Sequence, residues 1–157
     1  MRRAVKAMLP AVAIIGFCSS RFVEPKEAWA PAPSLADIIE DVRVEHRLPH
    51  GLIESVIMQE SGFQADVVRE EPTLRKKFAK KEDRSAYGLM QVVYGWHKKR
   101  CGLSSPDELL IPSVNVRCGA LVLSERYDEA VQQTLSRYNG SEKYGRDVLK
   151  QWKNWRS

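Results

Sequence analysis

The chain has 157 residues, of which 43% are hydrophobic and 29% charged, a balance that is typical of one globular domain and excludes a disordered chain. Its formal net charge is +5, but Arg2, Arg3 and Lys6 supply three of these charges within a first segment of twenty residues that has no acidic residue. The remaining +2 gives little support to a nucleic-acid-binding function, so we expect no nucleic-acid partner.

The first twenty residues are organised like a secretory signal peptide. Basic residues open the segment, an apolar stretch covers residues 8–17, and small residues follow before Arg21. This stretch is shorter than the roughly 20 apolar residues of a membrane-spanning helix. We therefore expect a signal peptide over residues 1–20 and a protein exported to the periplasm or cell envelope.

Cys18 directly follows the apolar stretch, at the position where a lipoprotein carries its lipid. Ile15 and Gly16 fit a lipoprotein signal, whereas the bulky Phe17 stands where a small residue is usual. The sequence therefore favours ordinary cleavage or retention of the signal, and a lipid anchor on Cys18 is the alternative.

The composition changes after the signal. Residues 21–33 contain three prolines among alanine and glutamate residues, which predicts a linker. The folded domain then covers residues 34–157. Ser34 and Asp37 resemble a helix capping box, and apolar residues at helical spacing follow, so a first helix is predicted to end around Arg47.

Helical patterns dominate the rest of the domain. Pro49 suits the first turn of a second helix that ends near Gly62. Residues 67–84 lose the apolar pattern and carry many charges, which is typical of a long surface excursion. Further helical patterns cover residues 88–98, 112–127, 130–138 and 144–155. We predict a mainly α protein with room for a small β-hairpin within residues 64–86.

Glu60 occupies the apolar face of the second helix. Ile53, Val56 and Ile57 precede it by seven, four and three residues, so all four share one face. Burial against aliphatic neighbours and the negative end of the helix dipole both raise a carboxyl pKa. A carboxylic acid that stays protonated near neutral pH is a suitable general acid for cleaving a glycosidic bond. The alternative is that Glu60 lies at the edge of this face and reaches solvent or a basic partner.

Four short motifs give Glu60 a context. In chain order they are Glu60-Ser61, Gly88-Leu89-Met90-Gln91, Asn115-Val116-Arg117-Cys118-Gly119-Ala120 and Arg137-Tyr138-Asn139-Gly140. Together they resemble the soluble lytic transglycosylase (SLT-type) family of the lysozyme-like superfamily. The chain departs from the family's pattern in the length and charge of its excursion before Ser85 and in Arg137, where alanine is usual.

The resemblance implies a lysozyme-like α domain with a substrate groove, and it assigns the catalytic role to Glu60. It also implies a set of substrate-binding or supporting residues, namely Ser61, Gly88, Met90, Gln91, Tyr138 and Asn139. By this resemblance Ser61 hydrogen-bonds near the catalytic carboxyl, and Gly88 allows close approach of the glycan.

The resemblance further implies that the Tyr138 phenol hydrogen-bonds the Glu60 carboxyl or the substrate, and that Asn139 holds its loop or contacts sugar. Each of these residues also has a structural interpretation. Gln91 can be a satisfied surface amide, Tyr138 a core aromatic with a solvated hydroxyl, and Asn139-Gly140 a simple turn.

The family resemblance implies a mechanism with one acid. Glu60 protonates the oxygen between MurNAc and GlcNAc and then takes the proton of the MurNAc C6 hydroxyl, which gives a 1,6-anhydro end. A hydrolytic goose-type muramidase is the nearest alternative, and it needs a second carboxylate. Asp66 is the acid nearest to Glu60 along the following chain, but the sequence does not determine the direction of its side chain. A non-catalytic peptidoglycan-binding component of an envelope or phage apparatus is the third possibility.

Three further features bear on cofactors and partners. Cys101 and Cys118 remain as an even pair without the first segment, and either a disulfide or two buried thiols fits them. No metal-ligand spacing surrounds them, so we expect no metal or organic cofactor. We expect a monomer that binds peptidoglycan glycan strands, with an envelope or secretion-system partner left open. Trp152 and Trp155 are predicted to pack on the core, and Trp96 has the better chance of lining the groove.

Overall fold

The computed structural model describes residues 31–125, 127 and 131–155. The predictions of a signal peptide, a lipidated Cys18 and most of the linker lie outside these residues. The described residues from Ala32 onward belong to one compact unit. None of their helices is both long and apolar enough to cross a membrane.

Helix α1 (Leu35–Glu45) begins at the predicted capping box. The Ser34 hydroxyl accepts a hydrogen bond from the backbone N–H of Asp37 at 3.2 Å, and the Asp37 carboxylate accepts one from the backbone N–H of Ser34 at 2.9 Å. These two bonds satisfy N–H groups that the first turn of a helix leaves without partners. The buried face of α1 consists of Ile38, Ile39 and Val42.

Helix α2 (Leu52–Ser61) begins after Gly51, not in a first turn at Pro49 as predicted. Gly51 has φ +77°, and a Cβ there would collide with the side chain of Trp155, so the turn requires glycine. At the other end Gly62 has φ +60°, which ends the helix as its C-cap. Because seven of the ten residues of α2 are buried, this helix lies at the centre of the core.

The charged excursion begins in a small antiparallel sheet of order β1-β2-β3 and returns to it. Strands β1 (Val68–Glu70) and β2 (Ser85–Tyr87) form the predicted hairpin, with Val68 opposite Tyr87. Strand β3 (Val92–Val93) pairs with β2 beyond the excursion. Two short 3-10 helices, Pro72–Leu74 and Glu82–Arg84, lie between β1 and β2.

The helix predicted over residues 88–98 is mostly wrong, because only α3 (Tyr94–His97) is α-helical there. Gly88 has φ +70° and Gln91 has φ +47°, so the chain turns sharply between β2 and β3. These left-handed conformations interrupt a helix.

The second half of the described chain is helical. A 3-10 helix, Pro106–Leu110, precedes α4 (Pro112–Ser124), which is followed by α5 (Val131–Asn139) and α6 (Glu142–Trp155). Helix α6 packs against α2 and α5, and α4 packs against α1. The fold is therefore mainly α with one small sheet, consistent with the lysozyme-like fold that the sequence predicted.

Candidate active site

Glu60 opens onto a cleft of about 450 Å³. The C-terminal end of α2 contributes Glu60 itself, and the excursion contributes Arg69, Glu71 and Leu74. Trp96 of α3 and the end of α5 complete the wall. Three of the four sequence motifs, which contain Glu60, Gln91 and Tyr138-Asn139-Gly140, thus line one cleft although they lie far apart along the chain.

The Glu60 carboxyl is largely shielded from solvent, with the residue 9% exposed. Burial raises its pKa from 4.5 to about 7, against the lowering effects of the Tyr144 hydroxyl and the positive charge of Arg69. The negative charge of Glu71 adds to the increase, and the Asn139 side chain opposes it. Both the protonated and the ionised form of Glu60 are therefore populated near neutral pH, as a group that donates and then accepts a proton requires.

Tyr144 is the phenol that the sequence did not assign to the site. It is 8% exposed. Its hydroxyl lies close enough to the Glu60 carboxyl to lower the pKa of that group. Among the described residues, however, no acceptor meets the distance and angle of a regular hydrogen bond with this hydroxyl. Burial and the neighbouring Glu60 raise the pKa of Tyr144 itself. The phenol therefore remains a neutral donor directed at the carboxyl.

Arg69 connects the sheet to helix α2. Its guanidinium donates a hydrogen bond of 2.8 Å to the backbone carbonyl of Glu60, one of the carbonyls that the end of a helix leaves without a partner. The same positive charge lowers the pKa of the Glu60 carboxyl. Arg69 therefore both fixes the end of α2 and moderates the effect of burial on the acid.

Gln91, Tyr138 and Asn139 all line the cleft. The Gln91 amide donates to the carbonyls of Val67 at 3.1 Å and Gly88 at 2.9 Å, so Gln91 fastens the turn between β2 and β3. Its Oε1 atom is buried and has no hydrogen-bond partner among the described residues. Gln91 therefore contributes to the cleft wall chiefly by holding this turn in place.

The Tyr138 phenol donates a hydrogen bond of 2.9 Å to the backbone carbonyl of Met90. The ring stacks on Tyr144, with the two centroids 6.5 Å apart. This hydrogen bond positions the second motif against α5. The sequence resemblance had predicted that the phenol hydrogen-bonds the Glu60 carboxyl or the substrate. The Asn139 side chain interacts with the Glu60 carboxyl and lowers its pKa.

Three further residues that were predicted to bind or support substrate make contacts within the protein. The Ser61 hydroxyl donates to the Ile57 carbonyl of its own helix at 3.2 Å. The side chain of Met90 is fully buried and fills the space beside Gly119. The space beside Gly88 is filled by the Leu109 carbonyl and the Asn115 side chain, so the absence of a side chain at Gly88 allows close packing within the protein.

The roles of Asn115 and Arg69 were not predicted from the sequence. Asn115 was visible only as part of a motif, yet its fully buried side chain holds the turn of the second motif. A buried amide on an otherwise apolar helix face is a signal that could have identified it. Nothing in the local sequence Val68-Arg69-Glu70 indicates that Arg69 reaches helix α2.

Two of the three tryptophans, Trp96 and Trp152, lie where they were predicted to lie, and Trp155 does not. Trp96 lines the cleft and is 48% exposed. Trp152 is buried and donates its indole N–H to the His50 carbonyl at 2.7 Å. Trp155, predicted to pack on the core, is 42% exposed, because at the end of α6 only its Cβ side covers Gly51.

Cys101 and Cys118 form a disulfide, with their Cα atoms 5.5 Å apart. Of the two alternatives that the sequence left open, the structure contains the bridge. In the described part of the chain, no group of three or more His, Cys, Asp or Glu residues is placed to hold a metal ion.

A mainly α fold with one buried carboxylic acid at the end of a central helix, facing a cleft, defines a lysozyme-like domain. The transglycosylase SLT domain family matches residues 37–155, most of the chain. The chain belongs to this family, as the four motifs predicted. No curated protein and no solved structure matches it significantly.

Proposed function

We propose that the protein is a lytic transglycosylase that cleaves the β-1,4 bond between MurNAc and GlcNAc in peptidoglycan and leaves 1,6-anhydro-MurNAc ends. The observation that carries this proposal is the Glu60 carboxyl, whose pKa is raised to about 7 at the cleft. Membership in the SLT family supports the choice of substrate and reaction.

In the first proposed step, protonated Glu60 gives its proton to the glycosidic oxygen, and the bond from this oxygen to C1 of MurNAc breaks. The GlcNAc side leaves with a free 4-hydroxyl group. The carbonyl oxygen of the MurNAc N-acetyl group stabilises the positive charge that develops at C1. The substrate thereby supplies its own nucleophile, so this step needs no second carboxylate from the protein.

In the second proposed step, ionised Glu60 takes the proton of the MurNAc C6 hydroxyl while the C6 oxygen bonds to C1. Glu60 returns to its protonated form and no water is consumed. Tyr144, Asn139 and Arg69 favour the ionised form that exists between the two steps, and burial favours the protonated form at the start. A pKa between these tasks serves both proton transfers.

We also propose that the protein acts outside the cytoplasmic membrane. The proposed substrate is found there, and the first twenty residues resemble a secretory signal. A disulfide between Cys101 and Cys118 is in keeping with an oxidising compartment. A lipid on Cys18 remains the alternative to ordinary signal processing.

A second candidate function is hydrolytic cleavage by a muramidase. One observation favours it: Glu71 lies on the same cleft and is near enough to Glu60 to raise the pKa of that group. Such a carboxylate could activate a water molecule on the far side of the bond. Asp66, considered from the sequence for this role, is exposed and does not belong to the described lining of the cleft.

The products distinguish the two reactions. Residues 22–157, the Glu60→Gln variant and the Glu71→Gln variant are incubated with purified peptidoglycan sacculi, and the released muropeptides are identified by mass spectrometry. The proposal predicts products lighter by one water than reducing muropeptides, none from Glu60→Gln, and anhydro products still formed by Glu71→Gln.

If the unmodified protein released muropeptides with reducing ends and the Glu71→Gln variant did not, the protein would be a muramidase. Binding of sacculi without release of any muropeptide would instead indicate a non-catalytic peptidoglycan-binding protein.

A further inference from the structure

The cleft wall formed by the excursion carries an ammonium group on an exposed indole. The Nζ atom of Lys77 lies 3.6 Å from the centroid of the Trp96 ring, a cation–π distance. Phe78 meets the same indole edge-on, with the ring centroids 5.5 Å apart. Because Trp96 is half-exposed and lines the cleft, the positive charge of Lys77 lies beside the cleft.

Ion pairs hold this part of the excursion in place. Glu70 of β1 accepts hydrogen bonds from Arg84 at 2.9 Å and from Arg75 at 3.1 Å. Asp83 accepts one from Lys98, just after α3, at 2.7 Å. The excursion is therefore fastened both to the sheet and to the α3 region that carries Trp96, so Lys77 and the indole are positioned together.

Several basic residues around Lys77 are paired with carboxylates, whereas Lys77, like Lys76, has no such partner among the described residues; Lys77 instead contacts the Trp96 indole. Arg75, Arg84 and Lys98 are paired with acids, and Lys80 lies 3.6 Å from Glu82. Among the described residues, no carboxylate lies within ion-pair distance of Lys77. A cation–π contact orients an ammonium group but leaves its charge uncompensated, so Lys77 offers this wall of the cleft a positive charge that an anionic ligand can pair with.

We propose that Lys77 and Trp96 form a subsite for a carboxylate of the peptide substituent on the glycan strand, an inference that rests on the proposed function. A glycan strand in the cleft presents its peptide substituents at the walls, and these peptides carry carboxylates. The lactyl group that joins each peptide to the sugar is an uncharged amide, so the peptide supplies the negative charge. Lys77 covers part of one indole face, so a ligand that approaches this face meets the ammonium group first.

The test measures binding without cleavage. Glu60→Gln, Glu60→Gln/Lys77→Gln and Glu60→Gln/Lys76→Gln proteins are titrated with three soluble glycan strands: peptide-bearing strands, the same strands with their carboxylates converted to methylamides, and strands freed of peptide. Lys76→Gln is the matched control, since it removes the same charge from the neighbouring exposed residue and no described contact joins it to Trp96.

We expect Lys77→Gln to weaken binding of peptide-bearing strands by about two- to fivefold, the range for one partly exposed ion pair. It should leave binding of methylamidated and peptide-free strands unchanged, and Lys76→Gln should have no effect on any strand. If Lys77→Gln weakened binding of methylamidated strands equally, Lys77 would support the structure of the cleft and would not bind a carboxylate.

An equal loss for the two lysine variants would contradict the subsite, as would a Lys77 effect that persists on peptide-free strands, which carry only the lactyl carboxylate. The proposed function has a separate outcome. If the protein with intact Glu60 binds peptide-bearing strands with the Lys77 dependence but releases no anhydro products, the subsite holds and the transglycosylase activity fails. If no strand binds at all, both proposals fail.

Discussion

Glu60 makes the stability of the protein depend on pH. Its pKa is about 7 in the folded protein and 4.5 in the reference state, so between these values the folded chain binds more protons than the unfolded chain. The contribution of Glu60 to stability is therefore fully present below pH 4.5 and is lost as the pH rises through about 7. A shift of this size corresponds to roughly 3 kcal/mol.

We therefore expect Glu60→Gln, which cannot ionise, to gain stability relative to the unmodified protein between pH 4.5 and pH 8, by roughly 3 kcal/mol at most. Urea unfolding at the two pH values measures the difference. Glu142→Gln, which changes an exposed acid, serves as the control and should show no comparable trend. A Glu60→Gln difference that is constant with pH would mean that Glu60 is not a buried acid.

Tyr144 tunes the same acid. Its hydroxyl lowers the pKa of Glu60, so Tyr144→Phe should raise that pKa. In the proposed mechanism the protonated acid begins the reaction, and kcat/KM falls as Glu60 ionises. We expect the descending limb of the pH profile of kcat/KM to move to higher pH in Tyr144→Phe.

The matched control for this prediction is Tyr94→Phe, which also removes a phenol hydroxyl, here one that donates to the Ser104 carbonyl at 3.2 Å. Its descending limb should coincide with that of the unmodified protein. A Tyr144→Phe profile that is lower at every pH but not displaced would assign Tyr144 a packing role only.

At the scale of elements, Asn115 connects α4 to the turn of the second motif. Its fully buried amide donates to the carbonyls of Tyr87 at 2.8 Å and Leu109 at 2.7 Å, and its carbonyl accepts from the backbone N–H of Met90 at 2.8 Å. One side chain thus satisfies three backbone groups from two other segments. Removing it would leave buried polar groups without partners, which is costly for each group.

We expect Asn115→Ala to lower the free energy of unfolding by about 3 kcal/mol or more, measured by urea denaturation. Val114→Ala, at the half-buried neighbouring position, should cost clearly less. A loss below about 1 kcal/mol for Asn115→Ala would mean that water replaces the amide and that the turn does not depend on this residue.

The elements that the sequence predicted well are those in which the local pattern and tertiary packing agree. The capping box at Ser34 and the apolar face of α2 up to Glu60 are local signals, and both appear in the structure. The region 88–98 has a helix-like pattern, but the left-handed backbone of Gln91 and the hydrogen bonds of Asn115 impose a turn and a strand there. Because those bonds come from a distant helix, no local pattern could predict them.

The residues of the site were likewise predictable only where a local motif contains them. Glu60 and Asn139 lie in recognisable motifs, and both are found at the cleft. Tyr144 shares an apolar helix face with Val148 and Trp152, so its sequence context predicts only a core aromatic. Its role depends on α6 packing against α2, a contact between elements that lie far apart along the chain.

At the scale of the whole molecule, the disulfide joins the cleft wall to the helical core. Cys101 follows α3, which carries Trp96, and Cys118 lies within α4, which carries Asn115. The bridge closes a loop with a sequence separation of 17 residues. In the chain-entropy description, a loop of this length stabilises the folded state by about 3 kcal/mol, because it restricts the unfolded chain.

We expect the Cys101→Ser/Cys118→Ser variant to lose about 3 kcal/mol of unfolding free energy in urea. The unmodified protein should lose a similar amount when it is reduced, and a reductant should not affect the double variant. The hydrogen bonds of Asn115 do not involve either sulfur, so the variant should keep its helical circular dichroism in the absence of urea. Equal stability of oxidised and reduced protein would contradict this account, because packing around the two thiols would then suffice to hold α3 against α4.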